Sequence, residues 1–558
     1  MPAPEPRVRF DTRKPVDFLV IGSGASGGVI ARELSRAGFD VVVLEQGPYR
    51  TAEDFRNHDE FRDFIQGELT SHPSWKDPQT FRHTAGDKAT VRQGTPPALY
   101  ARTVGGASVH FSANFWRLRP VDFKERSLLG PISGTGFADW PISYEELEPY
   151  YTRVEWEIGV SGVPGPFDPP RSKPYPLPPM PVKSSGVLLE QGAKKLGLHP
   201  QPAPVAILSQ PYKGRPACAH CGFCMGFGCE MNAKSSTLAS MIPEAEATGR
   251  CEIRPLSTVF RIETDDQGRV SEVAYFDARG EQHAQKAKAV VLSANGAETP
   301  RLLLMSESPR FPNGLANGSG LVGKYLMGNA HSVVHGEFEH PLMDWKSIQV
   351  TRIVHDFYDS DPARGFYGGG GIDGRPLINA TPIMHALTVS GDSTPRWGKD
   401  YKRDVRFGFD HHMGILGSAT SLALESNNIT LDPEVKDDRG RPAMRMTYRD
   451  HDDDLAMAKF LQDRGAEILE AAGARSIERE TVGPATLQAH LLGTCRMGDD
   501  PASSVVDRFH RSHEVPNLFI CDGSSLVTSG RGQPTLTIQA LAFRAAEHIA
   551  EFAKNGEI

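Results

Sequence analysis

The sequence lacks any long hydrophobic run. Nowhere in its 558 residues do about 18 consecutive apolar residues occur, the length that a membrane-spanning helix requires. Its N-terminus also lacks the order of charged, apolar and cleavage regions that marks a secretory signal. We therefore expect no membrane span, and a compartment that is either the cytoplasm or, if a signal-bearing partner exports the chain, the periplasm.

An excess of charge of one sign is also missing. The chain has 61 Lys and Arg against 69 Asp and Glu, a net charge of −8, without a long run of either sign. Neither nucleic acid nor an anionic membrane surface is therefore expected as a partner. With 39% hydrophobic and 23% charged residues, the composition is that of an ordinary globular enzyme. A chain of this length exceeds what one hydrophobic core usually supports, so two domains are expected.

Cysteine is scarce, and its distribution is uneven. Four of the seven cysteines, Cys218, Cys221, Cys224 and Cys229, lie in one glycine-rich segment, CAHCGFCMGFGC. Such clustering argues against a disulfide framework spread over the chain. Four converging thiolates could bind zinc or an iron–sulfur cluster, because both favour soft sulfur ligands. The alternative is a set of buried free thiols, since cysteine is among the most buried residue types.

Residues 16–46 have the pattern of one βαβ unit. A short apolar run, DFLVIG, is followed by GSGASG, a helical pattern and a second apolar run, DVVVLEQG. Gly22, Gly24 and Gly27 match G-x-G-x-x-G, whose glycines allow a tight turn, close approach of a pyrophosphate and helix–strand packing. Glu45 ends the second strand, where a carboxylate can bind a ribose hydroxyl and disfavours a 2′-phosphate. The unit predicts a dinucleotide site for FAD or NAD rather than NADP.

The middle of the chain has two weaker features. The doublet Gly105-Gly106, followed by small residues, suits backbone that lies against a flat or charged ligand, although an ordinary glycine turn has the same pattern. Between residues 336 and 446 the pattern alternates as in an antiparallel sheet. Within it, VRFGFDHHMGIL is interpreted as a strand that places His411 and His412 on opposite faces, as candidate pocket residues.

The C-terminal segment, residues 490–544, contains a histidine, an Asp-Gly turn after a buried strand, and a helix beginning at Pro534. Together with the N-terminal glycine unit, it indicates a fold whose two ends meet over one cofactor. Here the sequence resembles the glucose–methanol–choline (GMC) flavin oxidoreductases, through VIGSGASGGVIARELSRAGFDVVVLEQGP, VGGASVH, QPTLTIQALAFR and His490 some forty residues earlier. It is most similar to the bacterial gluconate, fructose and glucose dehydrogenase flavoprotein subunits, through CGFCMGFGCEMNAK, NNITLDPEVKD and HLLGTCRMG ahead of VVD.

The resemblance implies an α/β fold with two domains. The first is a Rossmann-like FAD-binding domain, with helices on a parallel sheet, formed by residues 14–120, 236–330 and 486–558. The second is an α+β substrate domain with a mostly antiparallel sheet, formed by residues 121–235, which include the cysteine segment, and 331–485.

The resemblance also selects FAD over NAD and implies which residues hold it. Gly22, Gly24, Gly27 and Glu45 would hold the ADP part, and Val259 would touch the adenine through its backbone. Gly105, Gly106 and the segment to Asn114 would lie along the isoalloxazine, Asp522 and Gly523 beside the ribityl–pyrophosphate region, and Thr535 at the pyrimidine edge. His110 stands where some members carry a covalently attached flavin and others a free histidine, so both forms of attachment stay open.

The implied reaction is the oxidation of an alcohol carbon, in which a base removes the hydroxyl proton while hydride passes to flavin N5. His490 matches the position of that base, and histidine titrates in the range that such a base needs. The family usually has histidine or asparagine just before PTLT, but this chain has Gln533. An amide can still donate to a substrate oxygen, although its longer side chain changes the geometry and leaves the substrate open.

The expected partners follow from the same resemblance. The substrate would be a small alcohol, sugar, sugar acid or glycoside, and a small signal-bearing subunit and a cytochrome acceptor are candidate protein partners. An iron–sulfur cluster on the four cysteines, [3Fe–4S] by analogy, would pass electrons onward and would favour a dehydrogenase. Two alternatives stay open: a stand-alone sugar or glycoside oxidase, and a lyase in which the flavin has no redox role.

Overall fold

The computed structural model describes residues 7–67, 76–92, 94–376, 383, 385–386 and 397–558. Its α-helices are α1 Gly27–Arg36, α2 Glu125–Leu129, α3 Tyr144–Ile158, α4 Ser184–Lys195, α5 Met241–Ala247, α6 Asn295–Met305, α7 Gly398–His411, α8 Asp452–Ala472 and α9 Thr535–Lys554. Short 3-10 helices cover Ala52–Phe55, Gly106–Val109, Pro120–Phe123, Pro362–Arg364 and Gly523–Ser525, and a π-helical turn covers Phe61–Ile65.

Within the described residues, the strands form three sheets. They are β1 Val16–Ile21, β2 Val41–Leu44, β3 Gln79–Arg82, β4 Thr90–Val91, β5 Pro200–Pro202, β6 Cys251–Arg254, β7 Thr258–Thr264, β8 Val270–Phe276, β9 Gln282–Leu292, β10 His331–Glu337, β11 Arg352–Val354, β12 Gly370–Arg375, β13 His412–Ala419, β14 Asn428–Lys436, β15 Pro442–Thr447, β16 Ser476–Arg479 and β17 Leu518–Ile520. The smallest sheet has the order β14-β15-β3-β4.

The first sheet is parallel at its centre. It has the order β6-β2-β1-β9, with β17 also paired to β9, and the hairpin β7–β8 extends it in antiparallel fashion. Ile21 is level with Leu44 and Leu292, and Leu292 is level with Ile520. The carboxyl ends of four strands therefore meet at one edge of the sheet, which is where ligands of doubly wound α/β folds bind. Strands from both ends of the chain contribute to this edge.

The second sheet, β16-β10-β13-β12-β11-β5, is antiparallel throughout. Because side chains alternate along a strand, each face of this sheet has its own set of residues. Val334, Ile372 and Ile415 lie on one face and pack in a core with Leu461 and Leu469 of α8. The opposite face is therefore free to cover a cavity. An α/β fold with a parallel and a mostly antiparallel sheet was predicted and is confirmed, while the residue limits of the two domains stay a prediction.

The predicted strand VRFGFDHHMGIL is wrong over its first half. Residues up to His411 belong to helix α7, and β13 begins only at His412. Half-buried Tyr401, Val405 and Phe409 recur every four residues, which is a helical spacing, whereas Arg406 is exposed. The strand was predicted because Val405, Phe407, Phe409 and His411 recur every second residue, and a run this short fits both spacings. No helix in the described part of the chain has the length and apolar character needed to cross a membrane.

Candidate functional site

A cavity of about 930 Å³ extends from the carboxyl edge of the parallel sheet to the free face of the antiparallel sheet. Its walls include most of the residues proposed from sequence, namely Gly22, Gly24, Glu45, Gly106, His110, Val259, Asp522, Gly523, Thr535, His490 and Gln533. This volume lies in the upper part of the range for small-molecule and cofactor sites.

One end of the cavity is built from glycine backbone. Gly22 has a φ of +92°, and a Cβ there would lie 2.5 Å from the carbonyl oxygen of Ser293. A Cβ on Gly106, whose φ is +56°, would lie 2.7 Å from Cα of Gly24. The two glycine loops thus touch through their main chains, and only glycine allows this approach. N of Gly22 and N of Gly106 already donate to the carbonyl oxygens of Leu44 and Thr103, at 2.9 and 2.8 Å. The open glycine surface and the N-terminus of α1 are therefore what suit the phosphates of a dinucleotide.

Two buried carboxylates brace this end. Oε2 of Glu45 accepts hydrogen bonds from N and Oγ of Ser23 at 3.1 and 2.7 Å, and Oε1 accepts from N of Gly47 at 2.9 Å. Burial raises the pKa of Glu45, although these hydrogen bonds act in the opposite direction. Oε1 accepts only one of these hydrogen bonds, so it retains a lone pair for a ribose hydroxyl.

Asp522 has a comparable role at the end of β17. Its Oδ2 accepts from N of Asn295 at 3.0 Å and from Oγ1 of Thr299 at 2.6 Å, and its Oδ1 accepts from N of Ser524 at 2.7 Å. The carboxylate therefore ties the start of α6 to the turn after β17. Burial raises the pKa of Asp522 against the effect of these hydrogen bonds.

Three predicted cofactor residues lie outside the cavity wall. A Cβ on Gly27 would meet the carbonyl oxygen of Gly22 at 1.9 Å, so this glycine serves the packing of α1 on β1. Gly105, with a φ of +94°, donates its N–H to Oγ of Ser23 at 3.0 Å and so links the two glycine loops. Asn114 is buried, and its amide has no hydrogen-bond partner among the described residues.

The other end of the cavity is built around His490. Met327 and Leu492 form an antiparallel bridge through N–H···O bonds of 2.9 and 3.0 Å. This antiparallel register places Asn329, two residues after Met327, opposite His490, two residues before Leu492. Oδ1 of Asn329 lies 2.6 Å from Nδ1 of His490. Asn329 was not identified from the sequence, because only the folded register brings it to the histidine.

Asn329 also decides which ring nitrogen of His490 carries the proton. Its Nδ2 donates to the carbonyl oxygens of Ala419 at 2.8 Å and Gly530 at 3.2 Å, so its Oδ1 must be the acceptor. Nδ1 of His490 is therefore the donor, and Nε2 keeps its lone pair. Burial lowers the pKa of His490 to about 4, while the side chain of Gln533 acts in the opposite direction. The ring is consequently neutral at physiological pH, as a general base must be.

The loop that carries Gln533 is anchored by a buried arginine. The guanidinium of Arg531 forms ion pairs with Asp122 and Glu125, and its centre lies 5.0 Å from the ring centroid of Tyr358. Burial disfavours the charge of Arg531, but the two carboxylates outweigh this and raise its pKa. Gln533 follows two residues later, so its side chain is held on a fixed loop.

His331 is a second histidine at this end that sequence reasoning missed. It begins β10, and its side chain is accessible from the cavity, with its ring centroid 5.8 Å from that of His490. Enclosure by the protein lowers its pKa to about 3, helped by the neighbouring His490 and Arg375. The candidates chosen from sequence, His411 and His412, do not line this cavity. The alternation of HSVVHGE was the available signal, since it places His331 and Val333 on one face.

His110 joins the cavity to the cysteine segment. Its Nε2 is buried and has no partner among the described residues, and burial together with the cation of Lys234 lowers its pKa to about 3. Its carbonyl oxygen accepts from N of Gly226 at 2.8 Å, and Met225 and Gly226 line the cavity. The cysteine segment therefore lies directly behind the wall that His110 forms.

Lys234 fixes this arrangement. Its ammonium, in a residue only 2% exposed, donates to the carbonyl oxygens of Phe111 at 3.1 Å, Cys224 at 2.6 Å and Phe227 at 2.8 Å. No carboxylate in the described parts of the chain pairs with it. An ammonium buried among carbonyl dipoles favours negative charge nearby, which thiolates can supply.

The four clustered cysteines are free thiols, with Cys224 buried and Cys218, Cys221 and Cys229 half-buried. Burial raises the pKa of Cys218 to about 11 and that of Cys224 to about 12. Among the described residues, no three of these sulfur atoms lie within 4.8 Å of one another. A mononuclear zinc site needs four sulfurs at about that spacing or closer, so a preformed zinc site is not present in this region.

The residues present fit FAD. The glycine cradle suits a pyrophosphate, Glu45 retains acceptor capacity, and His110, whose Nε2 has no partner among the described residues, lines the cavity. Two family models described as GMC oxidoreductase match the chain, one over residues 16–326 and the other over residues 423–542. The chain belongs to the GMC oxidoreductase family. This GMC oxidoreductase is accordingly a FAD-dependent enzyme that acts on CH–OH donors.

Relatives of this GMC oxidoreductase support the branch predicted from sequence. It is 36% identical over 541 residues to 2-methyl-1,2-propanediol dehydrogenase of Mycolicibacterium austroafricanum, covering 96% of this chain and 95% of that protein. It is 32% identical to the fructose dehydrogenase large subunit of Gluconobacter japonicus, covering 97% and 98% of the two chains. A crystal structure of formate oxidase, 14% identical, shares the fold with a TM-score of 0.65 over 98% of this chain and 100% of that one. The prediction of a GMC oxidoreductase similar to these dehydrogenase subunits is confirmed.

Proposed function

We propose that this protein oxidises the alcohol carbon of a sugar, polyol or related alcohol and passes the electrons to an external acceptor. The observation that carries the proposal is the pairing of a neutral His490 with Gln533 at one end of a cavity whose other end is a glycine cradle for a dinucleotide. When bound, FAD would accept a hydride from the alcohol carbon. The names of the relatives, dehydrogenases of a diol and of fructose, support the substrate class.

Three residues of the protein would act on the substrate hydroxyl, either directly or by positioning another residue. Nε2 of His490 accepts the hydroxyl proton, because Asn329 holds the proton of the ring on Nδ1. The amide of Gln533 donates to the substrate oxygen and orients it. The low pKa of His490 keeps its ring unprotonated in the resting enzyme. A negative charge that develops beside the ring during the reaction would stabilise the imidazolium and so raise this pKa.

The dinucleotide end would hold the cofactor. Gly22, Gly24 and Gly106 would contact the pyrophosphate through backbone, and Glu45 would bind the ribose. Val259 would lie at the adenine, and Asp522, Gly523 and Thr535 would lie along the rest of the cofactor. His110 would contact the flavin, either with or without a covalent bond. Flavin that remains with the protein after acid precipitation would establish covalent attachment.

The four cysteines would hold an iron–sulfur cluster. Two observations support this cluster: four thiols lie within twelve residues behind the cavity wall, and the ammonium of Lys234 has no carboxylate partner among the described residues. An iron–sulfur cluster carries net negative charge when bound to thiolates, and Lys234 would stabilise it. Iron and acid-labile sulfide measured on anaerobically purified protein test this; zinc alone, or no metal, would contradict it.

The function itself is tested by anaerobic titration of the FAD-loaded protein with sugars, polyols and simple alcohols. Bleaching of the oxidised flavin spectrum by at least one of them is expected, and it excludes a lyase. Absence of bleaching by every alcohol class would contradict the proposal. Reoxidation is then followed with an artificial acceptor and with oxygen separately: rapid reoxidation by oxygen with stoichiometric hydrogen peroxide would identify an oxidase instead.

A further inference from the structure

The free face of the antiparallel sheet forms the roof of the cavity, and its residues follow from register. His331 is opposite Ser418, Val333 is opposite Leu416, and Leu416 is opposite Asp373 on β12. Directly opposed residues share a face of an antiparallel sheet, so these side chains belong to the same surface. Two residues beyond Asp373, Arg375 also belongs to it and lines the cavity. The roof thus runs from a histidine, over two apolar side chains, to an ion pair.

The ion pair is bidentate and buried. Nε and Nη2 of Arg375 each donate to one carboxylate oxygen of Asp373 at 2.6 Å. Arg375 is 6% and Asp373 3% exposed. Nη1 of Arg375 has no partner among the described residues, and Asp373 does not itself line the cavity. The guanidinium therefore faces the cavity with one unused donor group while its charge is neutralised from behind.

The position of the pair relative to the reacting end is set by the strands. Asp373 lies two residues, about 7 Å, along the strands from the row of His331, and two strands, about 10 Å, across the sheet from it. Val333 and Leu416 lie in the row of Asp373, on β10 and β13, and present methyl groups to the cavity. A ligand whose reacting carbon lies at His490 would therefore cross an apolar surface before it meets Arg375.

The charge of the pair determines what the distal group can be. A ligand carboxylate bound at Arg375 would leave two carboxylates around one guanidinium, a net negative charge in a buried site, and buried uncompensated charge is strongly unfavourable. A neutral hydroxyl or ether oxygen accepts the unused N–H without adding charge. Its hydrogen bond to a charged donor is worth about 1.5–3 kcal/mol.

We propose that Arg375 and Asp373 form a distal substrate subsite that selects neutral hydroxylated substrates, such as hexitols and hexosides, over sugar acids of the same length. The proposal rests on the function proposed above, since it assumes that the reacting carbon lies at His490. Within that function it narrows the substrate class and assigns two residues to specificity.

The test compares ligands that differ only in the distal group. The FAD-loaded enzyme is first reduced under anaerobic conditions, so that no ligand can be oxidised, and equilibrium binding is then measured by calorimetry for a panel of hexitols and methyl hexosides and for the corresponding aldonates. We expect the best neutral ligand to bind at least tenfold more tightly than its aldonate. In Asp373→Asn the arginine cation is no longer neutralised, so the neutral-to-aldonate affinity ratio should fall at least tenfold.

Arg375→Met should weaken binding of the neutral ligand at least tenfold. If that variant does not fold, the double variant Asp373→Asn/Arg375→Met, which leaves no buried charge, should show the same loss of affinity. Arg352→Met is the matched control, because Arg352 lies on the neighbouring strand β11, pairs with Glu190 at 2.7 Å and belongs to the opposite face of the sheet. Its neutral-to-aldonate affinity ratio should equal that of the parent. An aldonate that binds as tightly as the neutral ligand, no measurable binding of any neutral ligand, or an unchanged ratio in Asp373→Asn would overturn the proposal. Flavin bleaching by short alcohols is scored separately, so that the subsite can fail while the proposed oxidation stands.

Discussion

Main-chain atoms of glycines form one end of the cavity, whereas side chains form the other. At the nucleotide end, Gly22, Gly24 and Gly106 bring main chains so close that one added Cβ would clash. At the substrate end, His490 and Gln533 project as side chains from loops that hydrogen bonds and ion pairs hold from behind. The first end tolerates almost no substitution, whereas the second can change its side chains and keep its backbone. Changes at one end should therefore remove the cofactor, and changes at the other should alter turnover with the cofactor in place.

The largest effect is expected from His490→Ala. Loss of a general base costs about 10²–10⁴-fold, so flavin reduction by substrate should slow by that factor while the FAD content stays that of the parent. Stopped-flow reduction under anaerobic conditions and the flavin-to-protein absorbance ratio measure the two quantities. His199→Ala, which removes an exposed histidine paired with Asp356, is the control. A loss of less than tenfold, or loss of FAD, would contradict the assignment of His490 to the substrate end.

The converse effect is expected from Gly106→Ala. The new Cβ would press on Gly24, so the glycine loops should separate and FAD affinity should fall at least tenfold. Gly38→Ala is a matched control, because Gly38 also has a positive φ, +98°, but a Cβ added there would meet no atom within 4 Å. Both variants bear a strain of about 1–2 kcal/mol, and only Gly106→Ala should lose cofactor. Equal FAD retention in both would show that close backbone approach does not govern this end.

A smaller effect, on pH dependence, is expected from Asn329→Asp. In the parent enzyme the base becomes protonated as pH falls through about 4, so flavin reduction should decline there. A carboxylate beside Nδ1 stabilises the imidazolium and raises the pKa of His490 by about one to three units. The acid limb of the rate profile should shift to higher pH by that amount. Asn329→Ala should slow reduction without this upward shift, and an unmoved limb in Asn329→Asp would remove Asn329 from the positioning role.

The smallest effect is expected on the pH dependence of stability, from buried histidines outside the cavity. They are the comparison for the histidines that line it. Burial lowers the pKa of His355 and of His510 to about 3, well below their value in the unfolded chain. Each contributes stability that is present above about pH 6.5 and is lost as pH falls toward the folded pKa, at up to about 1.4 kcal/mol per pH unit. His510→Gln should therefore show a smaller decrease in melting temperature between about pH 7 and pH 5 than the parent. An equal decrease would contradict it.

The sequence was informative where backbone geometry constrains residue type. The βαβ unit could be predicted because a tight turn and a close approach both demand glycine at fixed spacing, and the structure places Gly22 and Gly24 at the cavity. The substrate end was less accessible. Asn329 and His331 reach His490 only through strand register, and neither has a spacing rule that links it to a residue some 160 positions away.

Helix α7 shows a different limit. Its short apolar run fits the residue spacing of a strand as well as that of a helix. Only the packing of surrounding segments decides which of the two forms. The family resemblance predicts that Gln533 departs from the usual residue at its position, and this stays a prediction. Its support by Arg531 could not be predicted, because it depends on Asp122 and Glu125, about 400 residues earlier in the chain. Long-range ion pairs of this kind leave no local trace in a sequence.

The pairing of β17 with β9 has a consequence for how the enzyme is made. The edge of the parallel sheet is complete only when residues 518–520 are in place, and the cavity wall extends to Ile538. A nascent chain thus carries its finished glycine unit through the synthesis of some 470 further residues before the site can close. Contacts of such sequence separation form late. Cofactor loading should accordingly be among the last events of maturation, and ribosome-bound chains truncated before β17 should fail to retain flavin.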